Sequence, residues 1–145
     1  NGEVRFIQSN TNTVIAPDGV ETIDITIPSG KIAQICSISL SVACPWGGGS
    51  GTHTWEVSVV NVATQFYIGL FKISAAHDKT LGYSFTSPST DTTMIPNDLA
   101  AAQIALNNTR LGAGEVLRFK YSNLTDVTQN SWRTIRVAFL ERSNV

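Results

Sequence analysis

Apolar and polar residues alternate with a period of two over much of this chain. In the segment Ile23–Ile27, the apolar odd positions are separated by Asp24 and Thr26. Alternation of this kind is typical of a β-strand that is buried on one face. The other clear alternating sets are Ile32 to Cys44 at even positions, Trp55-Val57-Val59, Leu81-Tyr83-Phe85, Leu117-Phe119-Tyr121 and Ile135-Val137-Phe139. Together with a first strand opened by Val4 and Phe6 and the apolar run from Phe66 to Ile73, they predict about eight strands.

Clusters of glycine, proline, asparagine and serine separate these runs and indicate turns. They include Pro28-Ser29-Gly30, the glycine-rich loop from Pro45 to Gly51, and Gly112-Ala113-Gly114. Many short strands between turn signals are typical of a β-sandwich or a barrel. Asn97-Asp98 fits the cap of a short helix in which Leu99, Ala102 and Leu106 share a face, whereas Gln103 to Leu106 fits a strand equally well. At most one short helix is therefore expected.

The segment from Phe66 to Ile73 is a nearly continuous apolar run, which predicts a strand covered on both faces. In a two-sheet sandwich, only one face of a strand meets the core of its own domain. The sequence offers no long helix as a third layer, so a neighbouring subunit is expected to cover the second face. The residues predicted to lie at this subunit interface are Tyr67, Phe71, Ile73 and Phe139.

Cys36 and Cys44 fall on the apolar face of the same predicted strand. Eight residues of strand span about 26 Å at about 3.3 Å per residue, whereas a disulfide needs Cα atoms within about 7 Å. The two cysteines are therefore predicted to be buried and not linked to each other.

Charge is scarce in this chain: 14% of residues are charged, against about 25% in a typical globular domain. The formal net charge is −1. The sequence has no stripe of basic residues of the kind that would indicate a nucleic-acid partner. No apolar stretch reaches the roughly 18 residues of a membrane-spanning helix. The length of 145 residues fits a single domain, and the first residue, Asn1, is not methionine. We expect residues 1–145 to be one β-sandwich domain cut from a longer polypeptide.

Neither histidine belongs to a catalytic signature. His53 lies beside the glycine-rich loop, and His77 lies between Ala76 and Asp78. The carboxylates are scattered, and the Cys and His spacing of a zinc site and the calcium-loop pattern are both absent from the sequence. We therefore expect no catalytic residue, no metal and no cofactor, and we predict that the protein is not an enzyme.

Two groups of residues are candidates for ligand binding. Trp46 and Trp55 flank the segment that contains His53, and pairing of the two flanking strands as a hairpin would bring both indoles to its mouth. Exposed tryptophans stack on sugar rings, but Trp55 shares the parity of its strand's apolar residues, which favours the core. The second group is Arg118, Lys120 and Arg136, which cluster on one outer face if the last two strands pair. That cluster fits a solvated face, a subunit interface or an anion site, where the arginine fork matches a carboxylate.

Three segments carry a resemblance to known proteins. The runs Phe66-Tyr67-Ile68-Gly69-Leu70-Phe71-Lys72-Ile73 and Arg136-Val137-Ala138-Phe139-Leu140 resemble the inner, interface-forming strands of the tumour-necrosis-factor-like jelly roll. The run from Leu111 to Phe119 resembles the turn-then-strand entries of phage virion β-domains. Short strands, a neutral surface rich in Ser, Thr and Asn, and a start without methionine are similar to the trimeric tip domains of phage tail needles and fibres. The resemblance implies a homotrimeric knob of a virion that contacts the host envelope or caps an injection device. The expected partners are further copies of the chain and a host cell-surface receptor or glycan.

The fold expected from pattern and resemblance together is all-β, an antiparallel β-sandwich of jelly-roll type with about eight strands. The function expected is a non-enzymatic structural and adhesion module of a virion. Two alternatives remain open: a carbohydrate-binding module of a secreted protein, and a capsid or capsid-decoration protein.

Overall fold

The computed structural model describes residues 2–42, 49–77, 81–86, 109–130 and 132–144. They form eight strands of six or more residues and one two-residue strand, with no helix among them. The strands are β1 (Glu3–Thr11), β2 (Val20–Thr26), β3 (Lys31–Val42), β4 (Gly51–Asn61), β5 (Tyr67–Ala76), β6 (Leu81–Thr86), β7 (Arg110–Leu111), β8 (Glu115–Thr125) and β9 (Arg133–Ser143). Cys44, Trp46 and the ambiguous segment 97–106 lie outside the described residues.

The strands form two antiparallel sheets. The first has the order β1-β9-β3-β6, with β7 also paired to β3, and the second has the order β2-β8-β4-β5. The chain crosses from one sheet to the other between β1 and β2, β2 and β3, β3 and β4, β5 and β6, β7 and β8, and β8 and β9. This repeated crossing between a five-stranded and a four-stranded sheet is the jelly-roll arrangement. The prediction of an antiparallel jelly-roll sandwich is confirmed.

The core lies between the two sheets, where the alternating apolar positions meet. Strands β4, β8 and β9 supply its centre with residues that are each at most 5% exposed. These residues are Trp55, Val57, Val59, Leu117, Phe119, Tyr121, Ile135, Val137 and Phe139. On these three strands the period of two predicted the buried face correctly, because alternate side chains of a strand point to opposite faces.

A β-bulge in β3 changes the predicted position of Cys36. Ile35 pairs with Phe139 and Ser37 pairs with Ala138, so Cys36 is an extra residue opposite two consecutive partners. Because a bulge shifts the alternation by one residue, Ile35 and Ile38 both point into the core. Cys36 is half-buried and carries a free thiol, so the prediction that it is buried with the even-numbered residues is wrong.

A second bulge in β5 corrects the expectation for the Phe66–Ile73 run. Val57 pairs with Phe71 and Ser58 pairs with Gly69, so Leu70 is the extra residue. Leu70, Phe71 and Ile73 therefore all reach the core.

The structure also corrects the proposed interface set. Phe71, Ile73 and Phe139 are buried within the chain itself, and Tyr67 alone of the four predicted interface residues is exposed. Tyr67, Phe71 and Ile73 lie on β5, which is an edge strand of the second sheet. The core of the chain itself therefore covers Leu70, Phe71 and Ile73, whereas Phe66, Tyr67 and Ile68 of the same run stay exposed.

The pairing of strands corrects two further expectations. β3 and β4 belong to different sheets and do not form a hairpin, and β8 and β9 are likewise in different sheets. Among the described residues, no helix is long and apolar enough to cross a membrane.

Candidate functional site

Trp55 and His53 are parts of the core and not sugar platforms. The Trp55 indole is fully buried, and its ring centroid lies 5.4 Å from that of Tyr121 in an edge-to-face arrangement. His53 is also fully buried, with Nδ1 3.2 Å from the Tyr121 hydroxyl oxygen. Neither side chain is accessible to a ligand, so the hairpin-mouth site does not form around them.

A buried ionic cluster joins the two sheets next to Tyr121. The Arg133 guanidinium is fully buried and donates from Nε and Nη2 to the Glu21 carboxylate, at 2.9 and 3.2 Å. The same Nη2 donates to the carbonyl oxygen of Thr13 at 2.6 Å, and the guanidinium carbon lies 5.2 Å from the Tyr121 ring centroid. The two-pronged contact fits the fork geometry of arginine. The cluster crosses from β2 in one sheet to β9 in the other.

The pKa shifts in the cluster favour an ionised Glu21 and a neutral Tyr121. Burial tends to raise the pKa of Glu21, but the hydrogen bonds from Arg133 and Thr11 outweigh it and lower the pKa below its ordinary value. Burial raises the pKa of the Tyr121 phenol to about 12, so this group stays neutral. The burial and pairing of these groups indicate a structural role, because a fully buried guanidinium bound to a carboxylate does not face a substrate.

The sequence contains a signal for this cluster in the alternation of β9. Continuing the Ile135-Val137-Phe139 alternation back by one step places Arg133 on the core face of β9. A buried arginine requires a carboxylate or several carbonyl oxygens as partners.

The three predicted cations do not cluster on one face. Arg118 and Lys120 lie on the outer face of β8 in the second sheet, whereas Arg136 lies on the outer face of β9 in the first sheet. Arg118 donates from Nε and Nη2 to the Asp24 carboxylate of β2, at 2.8 and 2.9 Å. The predicted grouping failed because it assumed that β8 pairs with β9.

Arg118 and Lys120 instead line a groove on the outer face of the second sheet. The groove has a volume of about 310 Å³, and strands β4, β5 and β8 supply its lining. Glu56 and Ser58 contribute from β4, and Tyr67 and Gly69 from β5. This groove brings together two predicted ligand residues and the one predicted interface residue that is exposed.

Two apolar patches are exposed at opposite edges of the sandwich. The β1 patch consists of Val4, Phe6 and Leu140: Val4 is paired with Leu140, and Phe6 is 78% exposed. The β5 patch consists of Phe66, directly before β5, and Ile68 within it; both side chains are more than half exposed at the edge of the second sheet.

Contacts between the sheets establish that the two patches lie far apart. The Thr11 hydroxyl of β1 donates to the Glu21 carboxylate of β2 at 2.7 Å, so β1 and β2 share one side of the sandwich. β5 and β6 approach each other at the opposite side. The β1 patch was not predicted from the sequence. In the structure, Val4 and Phe6 point outward, whereas Arg5 between them turns inward and pairs with Glu141.

Comparison with known proteins does not place this chain in a family. No family model matches its sequence, and no curated protein sequence matches it significantly. Within the described ranges, no three His, Cys, Asp or Glu side chains are grouped so that they would hold a metal ion.

Proposed function

We propose that the protein is a non-enzymatic structural and adhesion module of a virion, working as a homotrimeric knob that contacts the host envelope. The observation that carries this proposal is the pair of exposed apolar patches at opposite edges of a jelly-roll sandwich. Exposed apolar groups that are clustered mark interaction sites. Jelly rolls are common in viral capsid proteins and lectins, although the fold alone does not establish a function.

The position of the patches supports a ring of copies. When the β1 patch of one copy packs on the β5 patch of the next, the two contacting surfaces are different, and such head-to-tail contacts form a ring when the rotation between copies closes. Three copies make the smallest closed ring of this type, because a twofold dimer uses the same surface on both partners. The low charge of the chain also supports assembly, since interface cores are depleted in charged residues.

Removal of either patch tests the assembly. We expect the native protein to form a species of about 47 kDa, three times the 15.6 kDa of one chain. Phe6→Asp and Ile68→Asp should each yield smaller species, because a charge in an apolar contact cannot be solvated. Both side chains are exposed in the single chain, so both variants should fold. Light scattering coupled to size-exclusion chromatography measures the mass.

Leu124→Asp is the matched control, because Leu124 is an exposed apolar residue outside both patches. It should leave the mass unchanged. A native protein that remains at 16 kDa at micromolar concentration would show that the knob proposal is wrong. A loss of assembly in the Leu124 variant equal to that in the patch variants would contradict the assigned surfaces.

A further inference from the structure

We propose that the groove on the outer face of the second sheet binds a carbohydrate that carries a carboxylate, such as a sialic or uronic acid residue. This inference rests on the proposed role in host attachment and names the ligand class and the residues. The groove is distinct from the hairpin mouth considered from the sequence, where Trp55 and His53 are buried.

The floor of the groove is made of small residues. Ser58 of β4 pairs with Gly69 of β5 on one side and with Arg118 of β8 on the other. A Cβ atom added at Gly69 would meet no atom within 4 Å, so the space above this position is open. Long side chains stand beside the small ones, which gives the sheet face a depression along β4.

One side of the depression offers an aromatic platform. Tyr67 of β5 is 67% exposed and lies on the outer face, since its partner Val60 alternates with Val59, which belongs to the core. A tyrosine ring provides a rigid apolar face with a polar tip. The C–H face of a sugar ring is an apolar surface of matching size, and its rim carries hydroxyl groups that need polar partners.

The opposite side and the floor offer those polar partners. The contact with Asp24 uses two of the five N–H donors of Arg118, and this side chain makes no other hydrogen bond or ion pair within the described residues. Within the same described part of the chain, Lys120 and Glu56 form no ion pair. Gln65 uses its amide nitrogen to donate to the Val62 carbonyl oxygen at 2.7 Å, which leaves its side-chain oxygen as an acceptor. A sugar with several hydroxyl groups satisfies such a mixed set of donors and acceptors.

The balance of charge favours an acidic sugar over a neutral one. The register places Lys72, Glu56 and Lys120 in one row across β5, β4 and β8, and Arg118 and Asp24 in the next row. These five residues carry a formal charge of +1, whereas the whole chain carries −1. A ligand carboxylate placed near Lys120 and Arg118 supplies the missing negative charge through charge-assisted hydrogen bonds.

Calorimetric titration with a hyaluronan tetrasaccharide and its carboxyl-reduced form tests the assignment. The native protein should bind the acidic form at least about tenfold more tightly, the ratio expected when a charge-assisted hydrogen bond is lost. Lys120→Gln should lower the affinity for the acidic form to that for the reduced form. Tyr67→Ala should abolish binding of both forms, and Tyr67→Phe should retain it.

Two controls match these substitutions. Arg136→Gln removes an exposed cation from the other sheet, and Trp132→Ala removes an exposed aromatic residue outside the groove. Neither should change the affinity. Absence of binding to either tetrasaccharide by the native protein, binding that survives Tyr67→Ala, or equally tight binding of a polyglutamate peptide would overturn the assignment.

The outcome of the sugar titration can be distinguished from the outcome of the assembly experiment. Each lining residue belongs to a single chain, so a monomeric protein that still binds the acidic sugar would uphold the groove and refute the trimer. A trimer of normal mass without sugar binding would uphold the assembly and refute the groove.

Discussion

At the scale of single residues, the buried pair of Arg133 and Glu21 is the feature that departs most from an apolar core. Two charges are taken out of water here, which is costly unless their hydrogen bonds are satisfied. Glu21 accepts from Arg133 and from the Thr11 hydroxyl, and Arg133 also reaches the Thr13 carbonyl oxygen. Since the contacts extend from β9 to β2 and to the chain after β1, the pair holds the two sheets in one alignment.

The pair predicts a specific dependence of stability on pH. The pKa of Glu21 is lowered on folding, so its contribution is fully present above the ordinary value near pH 4.5 and is lost as the pH falls through the lower folded value. Glu21→Gln should therefore destabilise the protein by about 3 kcal/mol at pH 7, because Arg133 stays buried without its counter-ion. The difference from the native protein should shrink once the pH falls below the folded pKa of Glu21. Urea titrations at pH 7 and at low pH measure both quantities.

Asp24→Asn provides the control on the same strand. The Asp24–Arg118 ion pair lies on the surface, with about a third of each side chain exposed, and exposed pairs contribute about 0–1 kcal/mol. Equal losses in the two variants at pH 7 would contradict the special role of the buried pair.

At the scale of elements, the irregular positions of the strands decide which side chains reach the core. Bulges at Cys36 and Leu70 each insert one residue, and a shift of one residue moves the following side chains to the opposite face. The start of β4 is irregular in another way: Gly51 has a φ of 101°. Its backbone runs directly against the carbonyl oxygen of Leu124 in β8, which lets β4 begin close beside its neighbour.

Gly51 should not tolerate a side chain. A Cβ atom there would collide with the Leu124 carbonyl oxygen. The substituted residue would also have to adopt a left-handed backbone conformation. We expect Gly51→Ala to destabilise the protein by about 1–3 kcal/mol. Gly82→Ala is the matched control, since a Cβ at Gly82 meets nothing within 4 Å; it should be neutral or stabilise by about 0.5–1 kcal/mol. Denaturant unfolding compares the two, and an unchanged Gly51 variant would disprove the close approach.

At the scale of the whole molecule, the jelly roll separates three outer surfaces. The β1 patch and the β5 patch lie at opposite edges, and the groove lies on the face of the second sheet. Tyr67 belongs to the groove, whereas Phe66 and Ile68 alternate with it on the chain. This arrangement allows copies to associate edge to edge while the groove faces outward from each copy.

A mixing experiment distinguishes head-to-tail contacts from twofold contacts. Phe6→Asp keeps the β5 patch, and Ile68→Asp keeps the β1 patch. When the two variants are mixed, one intact contact remains available, and we expect a heterodimer of about 31 kDa from two 15.6 kDa chains without larger rings. Sedimentation of each variant alone and of the mixture provides the comparison. A mixture that behaves as the sum of its parts would indicate a twofold interface or none.

Local sequence alone determined the fold class and the core of three strands. The alternation in β4, β8 and β9 identifies Trp55, Phe119 and Phe139 as buried, because each step along a strand reverses the side-chain direction. Turn residues between the runs predicted the number of strands. These properties depend on near neighbours in the chain, so they can be derived without knowledge of the pairing.

Only the tertiary structure decided which of these strands lie side by side. Placing β8 and β9 in different sheets separates Arg136 from Arg118 and Lys120, and the bulges remove Phe71 from the surface. The groove combines residues from β4, β5 and β8, up to about 60 positions apart in the chain. Pairing and bulges reflect contacts between distant segments, and a period of two within one strand carries no information on its partner.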